Sequence, residues 1–314
     1  MNHLTQSLRR MVAAALVLLT MPAFAQLSGT YTINPTGSGT TNYVSFTDAV
    51  AALTTSGVSG AVTFNVASGT YNEQISIGAI TGSSATNSVT FQKAPTATAP
   101  AILTFAATST ANYTVQLAAA SNLVFKDLTL ANTANAGQTV GGIVEYGGTV
   151  SNISFINNTF EGNASSTSSN YGALRYGSTP STGYASGVWK FIGNTFNNTS
   201  YSINVYGSTT VNADSLIATN NTINGTYYHL YAYYAKNVVF SNNTVNTISG
   251  YNGYCYVYYP STSVVYNNNT MTGMAYGMYS VVNTANTGSL TYAISDNNIG
   301  TNNTATTQYG FYIS

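Results

Sequence analysis

Carboxylates are the side chains through which this sequence could do acid-base or metal chemistry, and they are few and widely spaced. Acid-base cleavage of a glycosidic bond usually needs two carboxylates that flank the bond. Such a pair could form here only if the fold brings distant acids together. The sequence therefore predicts no catalytic residue, no metal site and a protein that is not an enzyme. Seven acids follow residue 25, no two of them within ten residues of each other: Asp48, Glu73, Asp127, Glu145, Glu161, Asp214 and Asp296.

Histidine and cysteine give no stronger candidates. After residue 25 the sequence has a single histidine, His229, with no Cys, Asp or Glu close to it, so a zinc site or a catalytic triad has little basis. An exposed, structural histidine is predicted. The single cysteine, Cys255, cannot form an internal disulfide. It lies in an apolar segment and is predicted to be a small buried residue. No cofactor is predicted.

Tyrosine is abundant, with 26 residues, many of which alternate with apolar residues in the last third of the chain. Side chains of a strand point alternately to its two faces, so the apolar residues are expected inside and the tyrosines outside. Strands stacked about 4.8 Å apart would then carry rows of exposed rings, in which Tyr146, Tyr176 and Asn204 also fall. Such rows could bind a ligand or only stabilise the sheet, and the sequence favours neither interpretation. The predicted ligand-binding residues are Tyr206, Tyr231, Tyr233, Tyr256, Tyr258, Tyr279 and Tyr312.

A repeated sequence motif indicates the elements that position these residues. The motif recurs six times between residues 155 and 299 and consists of an apolar residue, a polar pair rich in Asn, a Thr and a second apolar residue. The repeat length of 23 to 33 residues, in residues that favour strands and turns, predicts a solenoid in which each repeat forms one rung. The predicted fold class is all-β, a right-handed single-stranded parallel β-helix with an N-terminal capping helix. The positions aligned as equivalent and inward are Val115, Ile143, Ala173, Ile203, Leu230, Cys255, Met278 and Phe311.

Two local predictions follow from this alignment. Glu145 and Arg175 share a nominally inward column on consecutive rungs, so they are predicted to form an ion pair. The Asn pairs are predicted to be structural, because Asn tolerates left-handed turn positions and stacked Asn side chains can hydrogen-bond between rungs.

The two ends of the chain differ from the repeats. Residues 1–25 carry Arg9 and Arg10, an apolar run and an Ala-Phe-Ala site, which indicates a cleaved signal peptide. Residues 26–60 are predicted to form an N-terminal cap with a helix over 46–55. Residues 61–314 are predicted to form the rungs. The last segment reads as the start of another rung, so the chain is expected to be truncated, to continue, or to dock a capping partner.

The composition limits the partners and the location. Five basic and seven acidic residues follow residue 25, so nucleic acid is not expected as a partner. No segment after residue 25 has the roughly 18 apolar residues needed to span a membrane. A secreted or cell-surface protein is therefore predicted.

Several segments also carry a family resemblance. The chain from Gly29 to Ser314 resembles the pectin lyase-like right-handed β-helix superfamily, and its overall pattern is most similar to large secreted β-helix proteins of Bacteroidota. The resemblance implies that any catalysis would use clustered carboxylates on an exposed sheet. The Gln-Asp-Thr and Gly-Thr-Val-Asp-Phe segments of the esterases are missing, so no catalytic residue is carried over. The segments that resemble the entry into this fold, or a pectin methylesterase rung, are Ser45 to Leu53, Val62 to Val66, Gly69 to Ile75 and Asn122 to Asn132.

These observations favour a secreted, non-catalytic surface or adhesive module, an adhesin that binds polysaccharide or a cell-surface glycan through the tyrosine rows. Two alternatives stay open. The first is a carbohydrate-active lyase or esterase whose acids converge across rungs. The second is a purely structural spacer within a larger surface protein.

Overall fold

The computed structural model describes residues 25–134, 140–163, 166–177, 184–283, 288–301 and 308–314. The predicted signal peptide lies outside these ranges, except for its last residue. The described strands pair in parallel and the chain returns to each sheet once per repeat, which confirms the predicted parallel β-helix. No helix in the described ranges is long and apolar enough to cross a bilayer.

Among the described residues, one α-helix, α1 (Phe46–Ser56), accompanies the strands. In chain order the described strands are β1 (Leu27–Ile33), β2 (Asn42–Tyr43), β3 (Val58–Val66), β4 (Gly69–Asn72), β5 (Ile75–Ile77), β6 (Val89–Lys93), β7 (Ala101–Phe105), β8 (Val115–Ala118), β9 (Ser121–Lys126), β10 (Thr129–Asn132), β11 (Val144–Gly147), β12 (Val150–Ile156), β13 (Thr159–Glu161), β14 (Leu174–Tyr176), β15 (Ala185–Ile192), β16 (Thr195–Tyr206), β17 (Ala213–Thr219), β18 (Thr222–Tyr233), β19 (Ala235–Ser241), β20 (Thr244–Thr247), β21 (Gly253–Tyr258), β22 (Ser263–Asn267), β23 (Thr270–Val281), β24 (Thr291–Ser295), β25 (Asn298–Thr301) and β26 (Tyr309–Ile313).

The strands form three walls around the core. The first wall is a sheet with the order β2-β1-β3-β6-β9-β12-β15-β17-β19-β22-β24. The long strands β16, β18 and β23 each belong to two walls, as when the first half of β18 pairs with β20 and its second half with β21. The second wall consists of β4, β7, β10, β13, β20, β25 and the first halves of the long strands. The third wall consists of β5, β8, β11, β14, β21, β26 and their second halves.

Stacked aromatic rings fill the core behind the first wall. Phe64, Phe91, Phe125, Phe155 and Phe191 occupy paired positions on successive strands and are fully buried. Successive ring centroids lie 4.9 to 5.6 Å apart with nearly parallel planes. Each ring therefore buries a large apolar surface and also stacks on its neighbours, which explains why the repeated motif opens with an aromatic or apolar residue.

The Asn pair forms the corner between the first and second walls. The first residue of the pair adopts a left-handed backbone conformation, with φ of 53° at Asn157 and 58° at Asn220. The second residue is buried and bonds to the rungs on either side. Asn221, for example, donates to the main-chain oxygen of Phe191 (2.9 Å) and accepts from the main-chain nitrogen of Asn194 (2.9 Å). The asparagine ladder consists of Asn158, Asn194, Asn221, Asn243, Asn269 and Asn297.

The helix α1 begins where it was predicted and ends one residue later. Its N-cap is Ser45, whose hydroxyl accepts from the main-chain nitrogen of Asp48 (3.0 Å). The carboxylate of Glu73 accepts from the first free main-chain amides, at Phe46 (3.1 Å) and Thr47 (2.8 Å). A carboxylate at this end also interacts favourably with the helix dipole. The buried Phe46 ring lies 6.0 Å from Phe91, so the helix packs on the first rungs of the core.

The predicted strand alignment is correct for most rungs and wrong for two. Ile203 pairs with Leu230, and Met278 with Phe311, as predicted. Val115, however, pairs with Val144 instead of Ile143, and Val144 pairs with Leu174 instead of Ala173. Each of these two positions has a pair of adjacent apolar residues, all four fully buried, so alternation could not determine which one faces inward on the strand.

Candidate functional site

Three rows of tyrosines cover the outer surface of the third wall from residue 201 onward. We call this surface the tyrosine face. The strands that carry it pair in register, so each ring lies beside its counterpart on the next rung. The first row is Tyr201, Tyr228, Tyr254, Tyr276 and Tyr309; the second is Tyr231, Tyr256, Tyr279 and Tyr312; the third is Tyr206, Tyr233 and Tyr258.

The seven tyrosines singled out from the sequence lie in the second and third rows. All seven are half-buried, while the alternate residues, such as Leu230 and Ala232, are fully buried. The first row was missed because register shifts interrupt the alternation between Tyr228 and Leu230 and between Tyr254 and Tyr256. The available signal was a tyrosine two or three residues before each predicted tyrosine of the second row.

The rings present two kinds of surface. Tyr206 and Tyr233 stack with centroids 4.5 Å apart and planes 6° apart, and Tyr279 and Tyr312 stack at 4.8 Å and 11°. Rings stacked along the β-helix axis cover each other's faces and present edges and hydroxyls to solvent. Tyr256 is instead tilted by 51° to Tyr231 and by 52° to Tyr279, and its ring stacks on Tyr276 with centroids 5.8 Å apart and planes 27° apart, so it joins the first and second rows and stays half-buried. The tyrosine face therefore combines a layer of hydroxyls with accessible aromatic surface.

The hydroxyls of Tyr206, Tyr231 and Tyr256 stay protonated. Burial, reinforced by the neighbouring phenols, raises the pKa of Tyr206 to about 12. Burial raises the pKa of Tyr231 and of Tyr256 further above its usual range, again with contributions from adjacent tyrosines. Each hydroxyl can therefore act as both donor and acceptor without bearing charge.

Tyr146 and Asn204 are buried, which corrects their predicted outward positions. Tyr146 lies inside the core, where its hydroxyl donates to the main-chain oxygen of Asn204 (3.1 Å) and accepts from the main-chain nitrogen of Tyr206 (2.8 Å). The side chain of Asn204 is also fully buried, and both of its polar atoms lack a hydrogen-bond partner. Tyr176 does reach the tyrosine face, with its ring 4.7 Å from that of Tyr206.

A second candidate site, the polar cleft, lies on the same wall beside the tyrosine face. Its key residues are Asn112, Gln116, Glu145 and Arg175, in a cavity of about 440 Å³. The main-chain nitrogen of Ala173 donates to the oxygen of Tyr201 (2.8 Å), which places β14, the strand of Arg175, next to β16. The outer surface of the third wall thus runs from the polar cleft onto the tyrosine face.

Hydrogen bonds hold the polar cleft in a fixed arrangement. Glu145 and Arg175 form the predicted ion pair, but they point outward into the cleft and not into the core. Gln116 donates to the other carboxylate oxygen of Glu145 (3.1 Å), and Arg175 also donates to the main-chain oxygen of Asn112 (3.3 Å). The Nε atom of Arg175 is buried without a partner.

The cleft offers one carboxylate for chemistry. Glu145 is the only acid among its described lining residues. Burial, with a smaller contribution from Glu145, raises the pKa of the Tyr113 hydroxyl at the cleft, so it stays a neutral donor. A carboxylate beside a guanidinium can serve as a base or nucleophile, but this cleft alone does not supply an acid pair. Across the described ranges, no three His, Cys, Asp or Glu side chains come together.

His229 was predicted to be exposed, and this prediction is wrong. His229 is fully buried, with Nε2 3.0 Å from the hydroxyl of Thr247, and burial lowers its pKa to about 3. His229 forms a bulge in β18, because it has no partner on the adjacent strand β21, and the bulge turns its side chain inward. Cys255 is buried as predicted, and burial raises the pKa of its thiol to about 12, so it is not a reactive thiolate.

The chain is similar to some solved structures. The sequence matches no described protein family and no curated protein. It is similar to a pectin methylesterase from Aspergillus niger in penultimately deglycosylated form, with 16% identity over 91% of this chain and 90% of that one and a TM-score of 0.48. The deglycosylated form gives 14% identity over the same shares and a TM-score of 0.45. A mutant pectin methylesterase in complex with a hexasaccharide gives 14% identity over 81% of each chain and a TM-score of 0.35.

These similarities concern the fold. They correct one prediction, that the chain is not an enzyme: the solved structures it resembles are pectin methylesterases, so that prediction is wrong as stated and the fold gives no ground for excluding catalysis. None of the matches supports the narrower resemblance to Bacteroidota surface proteins. The topology of its own sheets shows that the chain is a parallel β-helix.

Proposed function

We propose that the chain binds an extended polysaccharide along the tyrosine face, at the cell surface or after secretion. The observation that carries this proposal is the register of the three tyrosine rows, which repeats the same aromatic and hydroxyl groups on every rung. Tyrosine provides rigid amphipathic contact area at a low entropic cost. A polymer that repeats its own units can make the same small contact on each rung, so that affinity accumulates along the row.

The proposed location has separate support. The features of residues 1–25 favour export, and the third wall presents the tyrosine face to solvent along the length of several rungs. A binding surface of this kind suits a polymer outside the cell better than a small metabolite, which would need a concave pocket.

The experiment compares two triple variants. In the first, Tyr231, Tyr256 and Tyr279 are each replaced by Ser. In the matched control, Ile217, Val239 and Val265 are replaced by Ser, because they are also half-buried outward residues on successive rungs, but on the first wall. Retention on an insoluble β-glucan is measured by depletion, and folding is followed by circular dichroism during thermal unfolding.

The tyrosine variant is expected to lose retention and the control to keep it. Each ring contact is worth about 0.5–1.5 kcal/mol, so removal of three should weaken binding by about tenfold or more. Unchanged retention by a folded tyrosine variant would mean that the rows only stabilise the sheet.

A second candidate function is hydrolysis of a carbohydrate ester or cleavage of a sugar chain in the polar cleft. The specific observation in its favour is the carboxylate of Glu145, fixed by Arg175 and Gln116 beside the proposed binding surface. Methanol release from methylated pectin, and reducing-end release from several polysaccharides, would be measured for the purified chain. Glu145→Gln is expected to abolish the activity, whereas Glu161→Gln, on the second wall, should retain it. If a folded chain binds polysaccharide but shows no turnover, the second candidate function is wrong and only the binding function remains.

A further inference from the structure

We infer that the ligand of the tyrosine face is a neutral polysaccharide, aligned with the β-helix axis, and not a polyanion such as a polyuronate. This inference rests on the proposed function and specifies its ligand. The observation behind it is how charge is distributed over the third wall.

The part of the chain that carries the tyrosine face has very few charges. From residue 191 to residue 314 the sequence contains only Asp214, Lys236 and Asp296. Asp214 and Lys236 belong to β17 and β19 of the first wall and pair with each other at 2.6 Å. Asp296 occupies the left-handed turn between β24 and β25, at the corner of the first and second walls. None of the three belongs to the strand segments that form the tyrosine face.

The adjoining polar cleft does not supply an unmatched cation either. Arg175 is engaged by Glu145, so the pair has no net charge. The other basic residues that the structure describes belong to other surfaces: Lys93 and Lys126 line a separate cavity with Asp127, and Lys190 lies on the outer side of the first wall. A polyanion laid along the third wall would therefore meet no row of cations.

The chemistry of the tyrosine hydroxyls favours a neutral polyol. A carboxylate is acceptor-only and gains most from charged donors, which this surface lacks. Moving it onto a half-buried phenol surface would remove water without providing a counter-charge, which is unfavourable. Sugar hydroxyls can donate and accept, as the phenol hydroxyls can, and the less polar faces of sugar rings can pack on the exposed parts of the half-buried tyrosine rings.

The rows also determine the direction of the ligand. Each row crosses the strands, so it runs parallel to the β-helix axis with one tyrosine per rung, about 4.8 Å apart. A chain lying along the strands would cross three rows within one rung and would meet few equivalent groups. A chain lying along the axis meets an equivalent group on every rung.

The test uses affinity electrophoresis of the full chain in gels that contain one soluble probe: hydroxyethylcellulose, arabinoxylan with no uronic acid, polygalacturonate or fully methylated polygalacturonate. Retardation by the neutral probes is expected, at least tenfold stronger than by polygalacturonate. In a matched depletion assay, the affinity for the neutral probes should be unchanged between low salt and about 1 M salt, where charge interactions are screened beyond about 3 Å. Tyr258→Lys, which adds one cation, should create a salt-sensitive affinity for polygalacturonate.

The outcomes separate this inference from the proposed function. Stronger, salt-sensitive retention on polygalacturonate, lost in the variant with Tyr231, Tyr256 and Tyr279 changed to Ser, would overturn the neutral ligand and keep polysaccharide binding. Retention on none of the probes by a folded chain would overturn both. Neutral binding that survives the triple substitution would place the ligand on another surface and would also overturn the inference.

Discussion

At the scale of single residues, the two ion pairs Glu145–Arg175 and Asp214–Lys236 have very different surroundings. The side chains of Arg175 and Glu145 are 12% and 13% exposed, whereas those of Lys236 and Asp214 are 44% and 56% exposed. An exposed pair loses most of its attraction to solvent screening. A pair that is mostly buried and also bonded to Gln116 leaves a desolvated charge behind when one partner is removed.

We therefore expect Arg175→Met to lower the free energy of unfolding by about 1–3 kcal/mol. The double variant with Glu145→Gln should cost less than Arg175→Met alone, because no unpaired charge is left. Lys236→Met is the control and should cost no more than about 1 kcal/mol. Urea unfolding of the variants measures all three values. Equal costs for Arg175→Met and Lys236→Met would contradict the buried character of the cleft pair.

His229 makes stability depend on pH in a defined direction. Its folded-state pKa of about 3 lies below the ordinary value of 6.5. As the pH falls through 6.5 the unfolded chain takes up a proton that the folded chain does not, so the contribution of His229 is complete above pH 6.5 and is lost towards pH 3. The slope due to this residue should approach about 1.4 kcal/mol per pH unit.

His229→Gln is expected to remove this slope, although the variant will also be less stable at neutral pH. The free energy of unfolding of both proteins would be measured from pH 7 to pH 4. Because the carboxylates are the same in both, the difference between the two curves isolates His229. Parallel curves would show that the imidazole is protonated at low pH without unfolding.

At the scale of elements, the asparagine ladder ties the rungs together. Asn221 makes bonds to the rungs on both sides of its own, through Phe191 and Asn194 on one and Asn243 on the other. The left-handed residue before it, Asn220, is exposed and serves only the turn. The two residues of one pair therefore have separate roles, and substitutions can distinguish them.

Asn221→Ala should lower the free energy of unfolding by at least about 2 kcal/mol, because it leaves several buried main-chain groups without partners. Asn220→Gly should stay within about 1 kcal/mol, since glycine readily adopts positive φ, as Gly193 does at the same corner with φ of 66°. Thermal and urea unfolding give both values. A larger cost for Asn220→Gly than for Asn221→Ala would reverse the assigned roles.

The corner and the core could be predicted from the sequence because each is determined by a local rule. The Asn pair follows from backbone conformation, and the phenylalanines of the first wall follow from alternation. The alternation of apolar and polar residues did not predict the strand register where two adjacent residues are both apolar, as at Ile143 and Val144, because either side chain could be the inward one. It also failed at the bulges of β18 and β23, which hid the first tyrosine row and, on β18, turned His229 inward. The alignment of rungs predicted the Glu145–Arg175 pair, but not the cleft around it, which depends on contacts such as that of Arg175 with Asn112, 63 positions apart, that no local pattern specifies.

At the scale of the whole molecule, stability comes from the stacking of rungs, so it should vary along the axis. In a solenoid each rung contacts only its neighbours, and opening proceeds from the less protected end. The first rungs are covered by α1, whose buried residues Phe46 and Leu53 are fully inaccessible. The last described rung is different: Phe311 and Ile313 are 40% and 45% exposed, and three of the five residues of β24 are exposed.

Hydrogen exchange of the 314-residue chain should therefore show a gradient. We expect the amides of β24 and β26 to exchange first, those of β22 and β23 next, and those of β12, β15 and β17 last, since these strands lie in the middle of the first wall, far from either end. β3, beside α1, should be protected nearly as well as the centre. Phe46→Ala should remove that protection and make exchange begin at both ends. Equal protection of β3 and β24 in the unmodified chain would show that the rungs open as one unit, and it would contradict the stacking account of stability.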